Sequence, residues 1–293
     1  MTAGSGDLAE FAPAKVNLTL HVLGRRPDGY HEIESLVAFA DVGDRLTFVP
    51  GDTLELDVTG PAAQAAGLGG DNLVFKAACA LAERVAGLRL GRFSLEKQLP
   101  VAAGLGGGSS DAAAALRLLA RANSLSINDE SVRAAARATG ADVPVCLDPQ
   151  ARMMRGIGEI LSAPISVPKL PAVLVNPGVA VPTRDVFAAL AAPTLTSPAQ
   201  ADDFFEISTD AAALVSILAA RRNDLETSAI KLQAVIADVL AALQASPDCL
   251  LARMSGSGAT CFALFGSAGL AQDVAQRIQT DHPGWWVRTT SFA

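Results

Sequence analysis

Basic residues are in short supply in this chain of 293 residues: 23 Lys and Arg stand against 30 Asp and Glu, for a formal net charge of -7. The isoelectric point is near 5.0. Nucleic-acid binding runs on clustered Lys and Arg, so that class is disfavoured. Any affinity for phosphate must then be local, supplied by backbone amides and a few placed lysines. Cysteine is sparse too. Cys79, Cys146, Cys249 and Cys261 are scattered, with no C-x-x-C or metal-ligand spacing, which argues for buried thiols in a reducing, cytoplasmic setting. No apolar run spans a membrane, because the longest candidate, residues 161–181, is broken by four prolines and Lys169. Residues 1–7 hold no basic residue and no apolar core, so no signal peptide is expected there. There is no internal repeat and no low-complexity tract. What is plentiful is apolar character, 50% of residues, enough to give a core to each of the two domains that the length suggests.

One stretch organises the rest: Pro100-Val101-Ala102-Ala103-Gly104-Leu105-Gly106-Gly107-Gly108-Ser109-Ser110-Asp111. Glycine at this density is poor material for the interior of a strand or helix. It leaves a backbone without side chains, whose N–H groups can turn toward one point. The alanine-rich run Ala112 to Ala120 follows at once and predicts a helix, with Ser109, Ser110 and Asp111 as candidate N-caps. A glycine loop that feeds a helix N-terminus is an anion site suited to phosphate. A Walker A loop is excluded, since no lysine precedes Ser109. A dinucleotide-binding loop fits poorly: Ser109 stands where its last glycine should be, and residues 131–138 read as a second helix where a strand is needed.

Along the chain, Phe11 to Val22 alternates. Ala14, Val16, Leu18, Leu20 and Val22 point one way, and Lys15, Asn17, Thr19 and His21 the other, which predicts a half-buried strand with a solvated polar face. Arg25 to Gly29 reads as a turn, and Ile33 to Ala40 as a strand. Leu46–Val49 and Leu54–Val58 flank Pro50-Gly51-Asp52 like the arms of a hairpin. Asp71 or Asn72 could cap a helix that runs to about Val85, and Phe93 to Leu99 reads as a strand. Pro144 biases Val143 away from helical geometry. Past Ala163 the chain turns proline-rich, which sets an expected boundary between domains 1–163 and 164–293. Beyond it come a strand over 172–175, helices over 211–220 and 230–244, a strand–glycine turn–strand over 252–265, a helix over 270–280 and a strand near 285–287. Strands followed by helices make an α+β chain rather than a doubly wound parallel sheet.

The blocks Pro13-Ala14-Lys15-Val16-Asn17-Leu18, Arg26-Pro27-Asp28-Gly29-Tyr30-His31-Glu32, Gly104 to Ala113, and Gly140-Ala141-Asp142-Val143-Pro144, with Asn176-Pro177-Gly178, Pro182-Thr183 and Ser255-Gly256-Ser257-Gly258-Ala259, together resemble the GHMP kinases. The resemblance extends along nearly the whole chain. The Asp-Gly-Tyr-His block is most similar to the branch that phosphorylates a hydroxyl of 4-diphosphocytidyl-2-C-methyl-D-erythritol in non-mevalonate isoprenoid synthesis, and argues against homoserine or a mevalonate derivative.

The resemblance implies a two-domain α+β fold with the active site in a cleft between the domains, and ATP with Mg²⁺ as cofactors. It implies Asp142 as general base, with Lys15 holding the acceptor hydroxyl. The loop from Pro100 to Ser110 would bind ATP, with Gly104 to Ser110 on its phosphates, and Asn72 and Lys97 would line the adenosine pocket. Tyr30 and Phe187 would sandwich the cytosine, while His31, Asn17 and Thr183 bind the same substrate. No acid is assignable as a Mg²⁺ ligand, so no protein metal site is expected. Nucleic-acid, membrane or obligate protein partners are not expected either. Taken singly, Asp142 fits a turn residue, Tyr30 and Phe187 fit core aromatics, and His31 fits a surface histidine; it is their joint occurrence that carries the functional reading. The chain departs from the family pattern at Cys146 to Gln150, where members tend to have an aromatic residue and a glycine, and at Arg152 to Arg155, which is bulkier than usual.

Overall fold

A computed structural model describes residues 8–67, 69–195 and 207–293; the signal-peptide expectation, on residues 1–7, lies outside them. The chain is α+β, with strands β1 (Leu8–Asn17), β2 (His21–Arg25), β3 (His31–Gly51) and β4 (Glu55–Thr59) leading into helix α1 (Leu73–Ala82) and strand β5 (Leu90–Glu96). Helices α2 (Gly107–Ala122), α3 (Glu130–Thr139) and α4 (Val143–Leu147) follow, then strands β6 (Arg152–Gly156), β7 (Ile160–Leu161) and β8 (Leu170–Asn176). The remainder is α5 (Thr183–Leu190), α6 (Ala211–Ala219), α7 (Glu226–Leu232), α8 (Val235–Gln244), β9 (Cys249–Met254), β10 (Cys261–Phe265), α9 (Ala268–Asp281) and β11 (Trp286–Phe292). Among the described residues, no helix is long and apolar enough to cross a membrane.

The residues cluster into two compact units that interleave along the chain. One holds the described residues of 1–14, 42–101 and 106–149. Its sheet joins the second half of β3 antiparallel to β5, and β5 parallel to β4. Gly91, Phe93 and Leu95 alternate inward along β5, and the Phe93 ring meets Phe48 at 4.6 Å between centroids. Helix α2 is buried on nearly every side: Ala112, Ala113, Ala114, Ala115, Leu116, Leu118, Leu119 and Ala120 are all enclosed, with α1, α3 and α4 packed around it. Four consecutive alanines let those neighbours approach closely and favour the helix as well.

The other unit holds residues 15–41, 102–105 and the described part of 150–293. The first half of β3 pairs antiparallel with β2 and with β6. A second series runs β11, β8, β10, β9, all antiparallel. Ala40 of β3 pairs with Phe292 of β11. The apolar faces of α7, α8 and α9 cover this series, with Val173, Val175, Ile236, Leu243, Cys261 and Ile278 at the centre.

Several expectations are corrected. The strand expected over 11–22 breaks after Asn17, and its polar face is not solvated: Lys15, Asn17 and Thr19 are buried. Burial is tolerated because those groups find partners; Asn17 Nδ2 donates to Ser35 Oγ at 2.7 Å and Leu36 N donates to Thr19 Oγ1 at 3.0 Å. The hairpin around Pro50-Gly51-Asp52 does not form, because β5 inserts between β3 and β4 and pairs Phe93 with both Phe48 and Leu56. Val143 opens helix α4 instead of avoiding helical geometry, since Pro144 lies in the first turn, where its missing N–H costs nothing. The helix expected over 230–244 divides at Gln233, which is extended at φ -141° and ψ 90°; neither glycine nor proline marks the break.

Candidate active site

The glycine loop delivers the chain into α2, but not through the caps that the sequence suggested. The N-cap is Gly106, in the left-handed region at φ 59°, and no side chain caps the helix. Ser109 and Ser110 lie inside the first turn instead, and Asp111 follows just past it. A side-chain cap would consume one of the first amides, so here the first-turn N–H groups stay available to a ligand, with the positive end of a 16-residue helix behind them. The next two glycines answer to space: a Cβ on Gly107 would stand 3.1 Å from Lys97 Nζ, and one on Gly108 would stand 3.3 Å from Leu73 Cδ1.

Lys97 is buried at 3% exposure. Its ammonium donates to Asp111 Oδ2 at 2.6 Å and to Asp44 Oδ2. Asp44 is wholly enclosed, and its other oxygen accepts from the backbone N–H of Gln98 at 2.6 Å and of Leu99 at 2.9 Å. Burial works to lower the Lys97 pKa, but the Asp111 and Asp44 carboxylates outweigh it and hold the ammonium above its ordinary range. Burial, with Asp44 adding to it and Lys97 opposing it, pushes Asp111 up to about 7. Sequence reasoning placed Lys97 near adenosine and passed over both carboxylates. Asp111 was within reach as the residue that completes Ser-Ser-Asp, while nothing local marks Asp44. Asn72, also assigned to the adenosine pocket, caps α1 by accepting from Val74 N at 2.9 Å, and its amide reaches Ala66 O at 3.2 Å.

In the other unit, the loop segment 102–105 is held on three sides. Lys15 N donates to Leu105 O at 2.8 Å, and Thr260 N donates to Ala103 O at 3.1 Å. Ser255 Oγ donates to Gly104 O at 2.8 Å and accepts from Asn17 N at 3.1 Å. Gly104 has φ 75°, and a Cβ there would run into the Ser255 carbonyl oxygen. The turn 255–258 matched the family blocks, but its work of seating Gly104 was invisible in the sequence. Val101 is exposed and Pro100 half-buried, while Ala102 takes φ 52°, uncommon for a residue with a side chain. Lys15 is 4% exposed, with Nζ 3.4 Å from Asn17 Oδ1.

Asp142, in the first unit, is the half-buried N-cap of α4 and makes no capping bond with its side chain. Tyr30 follows the turn at Gly29 and is 60% exposed. His31, the next residue, stacks on Phe187 at 4.6 Å and 28°. Burial, helped by Arg25, lowers the His31 pKa. Thr183, the first residue of α5, shares a 2.8 Å hydrogen bond with Ser257. Of the residues assigned to substrate, His31 and Phe187 are thus in contact, and the ring on Phe187 is the imidazole rather than Tyr30.

Two family models match the chain, the GHMP kinases N terminal domain over residues 72–148 and the GHMP kinases C terminal over residues 208–283. A curated 4-diphosphocytidyl-2-C-methyl-D-erythritol kinase from Methylorubrum extorquens is 58% identical over 96% of this chain and 98% of its own length. A crystal structure of a 4-(cytidine 5'-diphospho)-2C-methyl-D-erythritol kinase is 33% identical with a TM-score of 0.76, over 98% of this chain and 99% of that one. A homoserine kinase from Cytophaga hutchinsonii shares the fold at 18% identity and a TM-score of 0.70, over 100% of this chain and 96% of that one.

Proposed function

From the premise that this chain belongs to the 4-diphosphocytidyl-2-C-methyl-D-erythritol kinases among the GHMP small-molecule kinases, we propose that it transfers the γ-phosphoryl of ATP to a hydroxyl of 4-diphosphocytidyl-2-C-methyl-D-erythritol. The observation that carries this reading is the uncapped start of α2 behind the glycine loop, in a chain 58% identical to a kinase of that name.

Phosphoryl transfer asks mainly for positioning and charge stabilisation. In this reading Gly104 to Ser110 turn backbone amides to the β- and γ-phosphates, with Pro100 to Ala103 forming the approach. Asp142 takes the proton of the acceptor hydroxyl, and Lys15 orients that hydroxyl and offsets charge on the transferring group. Asn72 and Lys97 support the adenosine side. Tyr30 and Phe187 hold the cytosine, with His31, Asn17 and Thr183 supplying polar contacts. Mg²⁺ would arrive on the ATP phosphates. Among the described residues no three His, Cys, Asp or Glu side chains gather as a metal cage requires. Functionally the chain divides at 163/164 into an ATP-binding half and a C-terminal half. Its setting is the cytoplasm, in keeping with four cysteines that form no disulfide.

The test is direct. The purified protein is incubated with ATP, Mg²⁺ and, separately, 4-diphosphocytidyl-2-C-methyl-D-erythritol, homoserine and mevalonate, and ADP release is followed. Turnover should be confined to the first. Comparable kcat/KM with homoserine or mevalonate would overturn the assignment.

A further inference from the structure

We propose that Asp44, Lys97 and Asp111 act as one positioning unit behind the phosphate-binding glycines, and that the loop grips nucleotide best while Asp111 carries a proton. The inference rests on the reading that nucleotide phosphates bind at the start of α2, and goes beyond it by assigning roles to two carboxylates outside that site.

Two carboxylates share one ammonium in a place closed to water: Lys97, Asp44 and Asp111 are 3%, 0% and 2% exposed. With all three ionised the cluster carries a net negative charge in the interior, which is strongly unfavourable. One proton removes it. Asp44 accepts from the Gln98 and Leu99 amides as well as from Lys97. Asp111 receives Lys97 on one oxygen only, and its Oδ1 is buried without a hydrogen-bond partner. The proton therefore belongs to Asp111, in agreement with its raised pKa.

The cluster reaches the loop by contact and by charge. Lys97 Nζ lies against Gly107, where even a Cβ would be 3.1 Å away, so the position of the ammonium limits where that glycine can sit. Asp111 is the fifth residue of α2, just past its first turn, and an ionised carboxylate so near the helix start offsets the field that phosphates need. Other charges do not intrude. The enclosed faces of the elements packed on α2 are Val74, Ala77, Ala78 and Leu81 on α1, Val132, Ala135 and Ala136 on α3, Phe93 and Leu95 on β5, and Val143, Val145, Cys146 and Leu147 on α4. Lys76, Arg92, Glu96, Glu130, Arg133 and Arg137 on those elements are exposed, and Asp142 is at the start of α4, half-buried. The charged groups that act on Asp111 are Lys97 and Asp44. By linkage, if the proton favours nucleotide, nucleotide favours the proton.

The experiment is titration calorimetry of full-length protein with Mg²⁺ and a non-hydrolysable ATP analogue, from pH 6 to 9, on wild type, Asp111→Asn and Asp44→Asn, with melting temperature as the check on folding. Wild-type Kd should rise about tenfold between pH 7 and 8.5, within the usual range of coupling between sites. Asp111→Asn should show a flatter profile, and at pH 8 it should take up fewer protons on binding than wild type in paired buffers of different ionisation enthalpy. The phosphates of the analogue titrate equally in both proteins and cancel in the comparison. Asp44→Asn leaves a one-to-one ion pair and should also flatten the profile; it decides the matter if Asp111→Asn does not fold. Parallel profiles in all three proteins would overturn the inference. No binding to wild type at any pH would instead overturn the nucleotide reading on which it rests.

Discussion

The imidazole of His31 lies on the ring of Phe187, 4.6 Å between centroids and 28° between planes. One face of the aromatic assigned to cytosine is therefore covered by the neighbour of the other assigned aromatic, Tyr30, whose own side chain stands exposed. A pyrimidine that stacks on Phe187 uses its second face or displaces the imidazole. Stacking a base on an aromatic ring is worth roughly 1–3 kcal/mol. Phe187→Ala and Tyr30→Ala should each raise KM for the cytidine substrate by about tenfold while KM for ATP stays near wild type, as steady-state kinetics would show. Unchanged substrate KM in both variants would remove the sandwich. Stacking alone does not distinguish cytosine from uracil, so the uracil analogue should be a poor substrate for the wild-type enzyme, and equal kcat/KM for the two would defeat the idea that polar groups near His31 read the ring edge.

Asp142→Asn preserves shape at the N-cap of α4 and removes the carboxylate proposed as the base. It should bind ATP normally and lower kcat by roughly 10², the usual scale for a general base. Near-normal turnover in a coupled ADP assay would make Asp142 a purely structural residue.

Gly106→Val puts a β-branched side chain at φ 59°, where such residues are strained by about 1–2 kcal/mol, and places methyl groups on the proposed phosphate approach. ATP affinity should fall by tenfold or more with affinity for the cytidine substrate retained. Ser255→Ala acts on Gly104: it deletes the bonds to Gly104 O and Asn17 N, together worth about 1–3 kcal/mol of stability. Denaturant unfolding gives the stability loss, and KM for ATP should rise with it. A Ser255→Ala variant as stable as wild type would mean that the hydroxyl does not seat the loop.

Stability should carry a signature of the buried cluster. The folded protein keeps the Asp111 proton up to about pH 7, whereas an unfolded chain releases it near the ordinary aspartate value of about 4. Between those limits the folded state binds more protons, so stability falls as pH rises through the window and levels off above it. Asp111→Asn removes this contribution. Relative to wild type, the variant should therefore gain stability as pH rises from 5 to 7.5, measured by urea unfolding. A constant difference across that range would place the Asp111 titration elsewhere.

The features legible in sequence were those set by local chemistry. The turn before Tyr30, the Asn72 cap, the start of α2 within a few residues and the antiparallel pair β9–β10 all follow from residue types in short windows. The buried polar face at Lys15, Asn17 and Thr19 did not, because its partners include Ser35 and Ser255, distant in the chain. Nor did the order of β4, β5 and β3, since a hairpin motif at Pro50 cannot reveal a third strand arriving from residue 90. The site divides in the same way. The glycine loop announces itself through backbone chemistry, whereas Asp44 acquires its meaning only when the fold brings it to Lys97, 53 residues away.

The interleaving of the two units bears on how the chain acquires its structure during synthesis. Residues 15–41 emerge early, yet they belong to the unit completed by residues 150–293, and Ala40 finds its strand partner at Phe292. At roughly 5–20 residues per second, that early segment waits on the order of ten seconds or more for its partners, holding apolar side chains such as Leu36, Val37 and Phe39 that the finished fold encloses. Contacts of such long sequence separation are slow to close. A nascent chain of this protein has a long interval in which to aggregate, and its yield in cells should depend more on translation speed and on holdase chaperones than that of a protein whose units follow one another along the chain.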